Sequence, residues 1–135
     1  MATLQPVQFE VGGRKYSTIP LTGFDALDLD RIVADKWSGM HAAVAALGID
    51  KDDKVAIGTA MARELTKALA GMSREEYRNL LELSLGSTTL IGGATEKDVR
   101  LANADVIGEA FVGHLVDIPE VLLTVWSANK LSPFA

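Results

Sequence analysis

Residues able to do chemistry are few in this chain, and their spacing is wrong for a site. There are two histidines and no cysteine in 135 residues. His41 sits in an alanine-rich stretch. His114 follows Gly113 at the end of a helical segment, where helix carbonyl dipoles favour a protonatable ring. Neither histidine has a second ligand at metal-binding spacing, so no metal is expected. Asp25, Asp28 and Asp30 resemble a cation loop but lack the glycine and distal glutamate of an EF-hand. Carboxylates in the first turns of a helix are favoured by its dipole, and that is the simpler reading. Glu75 and Glu76, beside Arg74 and Arg78, read as a solvated helix face. Gly12-Gly13 and Gly92-Gly93 are turn glycines, because neither pair belongs to a Gly-x-Gly-x-x-Gly run opening a helix. With no nucleophile elbow, phosphate loop or acid–base pair in the sequence, the chain reads as a non-enzyme without cofactor.

Composition narrows the class further. Thirteen basic against eighteen acidic residues give a net charge of −5, and no basic run exists, which argues against nucleic acid. Nearly half the residues are hydrophobic, 48%. A chain of this length buries about two-thirds of its unfolded surface, enough for a core without disulfide staples. No apolar stretch approaches the ~20 residues a membrane span requires. No charged segment followed by an apolar one marks a signal peptide. The expectation is one α+β domain over 1–135, helix-dominated and cytosolic in type.

The elements follow from periodicity and punctuation. Residues 5–20 alternate around Gly12-Gly13 and predict a hairpin, which Pro20 ends. The hairpin is expected to pack on helices and not to extend into a large sheet. A helical body then runs from about 22 to 86. Its first helix starts near Thr22 with a stripe of Ala26, Leu29, Val33 and Trp37, flanked by Phe24 and Ile32. Ser38-Gly39-Met40 should break it, leaving a short alanine-rich segment from His41 to Leu47. Asp50 should cap a second long helix that buries Val55, Ile57, Met61, Ala62, Leu65, Ala68 and Leu69. Ser73 and Glu76 form a capping box for a third, with a face of Tyr77, Leu80, Leu81 and Ser84 and a stop at Gly86. Residues 87–101 predict a second hairpin, with a helix from Thr95 as the alternative. Helices over about 104–130 close the chain. Asn103 caps the first, which carries Val106, Ile107, Ala110 and Phe111, and Pro119 opens the last.

Val121, Leu122, Val125 and Trp126 share one face of that last helix, and Phe134 follows Pro133. Aromatic and aliphatic residues of this kind either close a core or anchor a partner. Phe111, Val121, Leu122, Val125, Trp126 and Phe134 are therefore the candidate partner-binding residues.

Gly13-Arg14-Lys15-Tyr16, then Ile19-Pro20-Leu21 and Phe24-Asp25-Ala26-Leu27, resemble the opening of tail assembly chaperones of long-tailed bacteriophages. There a hairpin with a Gly-x-x-Tyr turn leads into an amphipathic helix. Phe111, the Val121–Asn129 helix and the Pro-Phe ending resemble that family's terminal helix and aromatic tail. The resemblance implies a non-enzymatic protein of the host cytoplasm, absent from the mature virion. Its implied partners are the tape measure protein, which it keeps soluble, and the tail tube protein, which it helps recruit; self-association is a further expectation. A structural tail or head-completion component, or another phage-encoded protein-binding module, is the alternative.

Overall fold

The computed structural model describes residues 5–50, 52–93 and 96–131, with the backbone alone over 36–44. The fold is α+β, as the alternation of periods predicts. Strands β1 (Val7–Val11) and β2 (Arg14–Thr18) pair antiparallel around Gly12 and Gly13, with Phe9 opposite Tyr16. Both glycines have positive φ, 59° and 80°, the conformation that a tight primed turn demands. The Asp117 carboxylate also lies against Gly12 so closely that any Cβ there would collide with it.

The first hairpin does not end at two strands. β2 pairs antiparallel with β3 (Thr88–Leu90), and β3 with β4 (Val99–Arg100), giving one sheet in the order β1-β2-β3-β4. The second predicted hairpin is thus present, with its strands reduced to three and two residues. At the β2–β3 seam the Thr18 and Thr88 hydroxyls, both buried, hydrogen-bond to each other at 2.9 Å. One hydroxyl donates and the other accepts, which offsets part of the desolvation cost of burying both.

Three long helices lie between the hairpins: α1 (Gly23–Ala45), α2 (Lys54–Ala70) and α3 (Arg74–Leu85). After β4 come α4 (Ala104–Ala110), a 3-10 turn (Leu115–Asp117) and α5 (Ile118–Ala128). The capping box at Ser73 and Glu76 is formed, Asn103 accepts from the Val106 N–H, and Pro119 lies in the first turn of α5.

Three local expectations are corrected. α1 runs without interruption through Ser38-Gly39-Met40, since one helical glycine costs only about 1 kcal/mol relative to alanine. The cap of α2 is Asp53, whose side chain accepts from the Ala56 N–H; Asp50 accepts instead from the Asp52 N–H in the preceding turn. Val55, the second residue of α2, is exposed and lies outside the buried face, whereas Leu65 and Leu69 are buried. Leu29 and Val33 of α1 are buried as expected, while Phe24 and Leu27 are exposed. The Trp37 and His41 side chains lie outside the described residues.

α5 is the centre of the core. It packs on α2, α3 and β1. The indole N–H of Trp126 donates to the Ser84 hydroxyl of α3 at 3.0 Å in a buried site, which gives that apolar ring its one polar need. Beyond the helix, Lys130 adopts φ 52°, the Leu131 N–H reaches the Trp126 carbonyl and the Lys130 N–H reaches that of Ser127. This is a Schellman ending, and it turns Leu131 back into the core.

Candidate partner-binding surface

The structure places five of the six residues expected to meet a partner inside the chain. Val121, Leu122, Val125, Trp126 and Phe111 are each no more than 1% exposed. Their side chains are taken up by the chain's own core, because a face this apolar gains most from packing on α2, α3 and β1. Phe134 lies outside the described residues. Of the five, Phe111 alone borders a surface depression.

That depression forms where α3 runs past α4 and the segment leading into α5. It is a groove of about 720 Å³, with Tyr77, Leu81, Ile107, Phe111 and Ile118 among the residues of its apolar lining. Its lip is unusual. Val112, Leu115 and Val116 are 74%, 67% and 88% exposed, three large apolar side chains within five residues. Single exposed hydrophobes are ordinary; three large ones within five residues beside an apolar groove are not. The rim is charged. Arg74 and Arg78 line the α3 side, and Asp105 and Glu109 the α4 side. Arg78 and Asp105 come within 3.5 Å of each other.

Two devices hold the groove's walls. The Glu82 carboxylate accepts from the Ala104 N–H, tying α3 to the start of α4. At the other end, an aromatic stack joins the Gly-x-x-Tyr turn to the end of α4. Phe9 stacks on Tyr16 with ring centroids 5.3 Å apart, and Tyr16 on Phe111 at 6.3 Å. The Arg14 guanidinium lies 5.9 Å from the Tyr16 ring centroid and 5.4 Å from that of Phe111, and it donates to the Ala110 carbonyl at 2.8 Å. Arg14 Nη1 and the Tyr16 hydroxyl are buried without a hydrogen-bond partner among the described residues. Burial pushes the Tyr16 hydroxyl above the ordinary phenol value; Arg14 works against that rise and Asp117 adds to it. The stack is therefore a clamp of planar groups that fixes where the 111–117 segment leaves α4.

A second exposed pair, Phe24 and Leu27, stands on the outer side of α1, and Leu47 and Val55 flank the α1–α2 turn. Chemistry finds no comparable cluster. The half-exposed His114 ring has its Nδ1 3.6 Å from the largely buried Asp117 carboxylate, and among the described residues no three acidic or histidine side chains gather as a metal site would require. No described helix is long and apolar enough to cross a membrane.

Residues 12–134 match the family model described as phage tail assembly chaperone protein, TAC. The chain belongs to this tail assembly chaperone family. No curated protein and no solved structure matches it. The match begins inside the Gly12-Gly13 turn, so it takes in Arg14, Tyr16 and Phe111 of the clamp but not Phe9, together with the groove and α5. The groove with its apolar lip is the candidate protein-binding surface. Sequence reasoning missed Leu115 and Val116 because they follow no helical or strand period. The signal available was the run Phe111-Val112-Gly113-His114-Leu115-Val116, apolar at four of six positions with no element of its own to bury it.

Proposed function

We propose that the protein binds the tape measure protein during tail morphogenesis, keeps it soluble in the host cytoplasm, and helps recruit tail tube subunits before leaving the finished particle. The observation that carries this reading is the family match over residues 12–134. The exposed apolar lip at Val112, Leu115 and Val116 is in keeping with it, since a protein that shields an apolar client needs apolar surface outside its own core. The net charge of −5 supports it in a second way, by keeping the protein soluble while that surface is exposed and by disfavouring nucleic acid. Contact between Phe134 and the client is part of the same proposal, as is self-association.

Co-expression tests the reading. The tape measure protein encoded beside this chain should be largely soluble and co-purify when the two are made together, and be insoluble when made alone. Equal solubility with and without the chain would remove the proposal. Immunoblotting purified virions separates it from a structural tail or head-completion role, because a chaperone is absent from the particle and a structural part is retained.

A further inference from the structure

The groove's lining decides what sort of chain can enter it. Its walls are helices α3 and α4, the 3-10 turn and the start of α5, whose backbone groups are bonded within those elements. No free strand edge lines it. An extended segment would bring unpaired N–H and C=O groups against apolar side chains and find no ladder there, a costly arrangement. A helix carries its backbone hydrogen bonds with it, and laying an apolar stripe into an apolar groove is a standard mode of recognition.

The rim then specifies the occupant's flanks. Arg74 and Arg78 are four residues apart on α3, and Asp105 and Glu109 are four apart on α4, so each wall presents two like charges one helical turn apart. All four side chains are on exposed residues. A helix lying between these walls meets positive charge on one side and negative charge on the other, repeated at its own pitch of about 5.4 Å.

We propose that the groove between α3, α4 and the 111–117 segment seats an amphipathic helix of the client protein, apolar along one stripe, acidic on the flank facing Arg74 and Arg78, and basic on the flank facing Asp105 and Glu109. This rests on the chaperone reading and names its site. The Arg78–Asp105 pair, 3.5 Å apart in the free protein, exchanges its members for the client's charges on binding. Being exposed, that pair is weak, so the exchange is cheap. Leu115 and Val116 then cover the client's stripe from the open side.

Two synthetic helical peptides of identical composition test this by fluorescence anisotropy. They share a Leu stripe at i, i+3, i+4 and i+7; one carries Glu pairs and Lys pairs on the matching flanks, the other has those flanks exchanged. The matched peptide should bind the full chain about tenfold more tightly, the combined effect of four exposed charge pairs. The variant R74E/R78E/D105K/E109K keeps the rim pair and the net charge, and it should reverse the preference. Leu115→Asp with Val116→Asp should abolish binding of both peptides while the chain stays folded by circular dichroism. Equal binding of the two peptides, no saturable binding by either, or an unaltered preference in the charge-exchanged variant would overturn the proposal. So would a change in oligomeric state as the sole effect of Leu115→Asp with Val116→Asp, since the groove would then seat a second copy. Client co-expression separates site from function. If the Asp variant still solubilises the tape measure protein, the site is wrong and the chaperone reading stands. If the unaltered chain does not solubilise it, the function falls while the peptide preference still judges the groove.

Discussion

The apolar face of α5 and the apolar residues of segment 112–116 lie side by side in the sequence and meet opposite fates. Val121, Leu122, Val125 and Trp126 are essentially fully buried, whereas Val112, Leu115 and Val116 are mostly exposed. Hydrophobicity does not separate them. What separates them is geometry. α5 presents its apolar residues on one helical face that three other elements can cover at once. The 111–117 segment turns through Gly113 at φ 78° and a single 3-10 turn, so it forms no helical face that could be laid against the other elements. Periodic apolar residues close the core here, and the aperiodic ones that follow Phe111 stay exposed.

The largest expected effect lies on the buried side of this comparison. Trp126→Ala removes the ring at the centre of the core and leaves the buried Ser84 hydroxyl without its donor. Urea denaturation should show a loss of about 3–5 kcal/mol, the range for deleting a large buried aromatic. A loss below about 1 kcal/mol would mean that α5 is not closing the core, and the partner-facing reading of its apolar stripe would return.

Between the two regions lies the clamp. Arg14→Ala removes the hydrogen bond to the Ala110 carbonyl and the guanidinium packed against Tyr16 and Phe111. The expected cost is about 1–2 kcal/mol from a charged hydrogen bond and two partly buried cation–π contacts. Hydrogen exchange should also quicken at Val112 and His114, whose N–H groups bond to Glu109 and Phe111 just beyond the clamp. Unchanged exchange there would show that the 111–117 segment holds its course without Arg14.

Much of the fold was legible because local chemistry dictates it. The Gly12-Gly13 turn, the Ser73–Glu76 capping box, the Asn103 cap and Pro119 each act within a few residues, and each is where the sequence places it. The joining of two hairpins into one sheet was not legible. It depends on Thr18 meeting Thr88 across seventy residues, and nothing near either threonine announces the other. The continuity of α1 was hidden for a related reason, since a Ser-Gly step weakens a helix without ending it. The candidate site was read least well. Apolar patterning located α5 correctly and could not tell a core face from a binding face, because both need the same side chains.

The end of α5 offers a smaller test of how tightly the core side is specified. Lys130 occupies the left-handed position of the Schellman ending, where glycine is the usual residue. Lys130→Gly should raise stability by about 0.5 kcal/mol, the relief of left-handed strain less glycine's greater unfolded-state entropy. Thermal denaturation reads this directly. A decrease would show that the lysine side chain contributes more than its backbone strain costs.

The smallest expected effect on stability belongs to the exposed side, and it sharpens the comparison most. Val116 is 88% exposed, so Val116→Asp buries no charge, opens no cavity and breaks no described hydrogen bond. Urea denaturation should place it within about 0.5 kcal/mol of the unaltered chain, as for surface substitutions generally. Nine residues further on, Val125→Asp makes the same chemical change inside the core, where an unpaired carboxylate has no solvent and should cost about 3–5 kcal/mol, as much as Trp126→Ala. The contrast between two valine-to-aspartate changes removes side-chain chemistry as a variable and leaves only position. If Val116→Asp destabilised the chain by more than about 1 kcal/mol, the lip would be part of the monomer's packing. Its apolar side chains would then need no client to explain them.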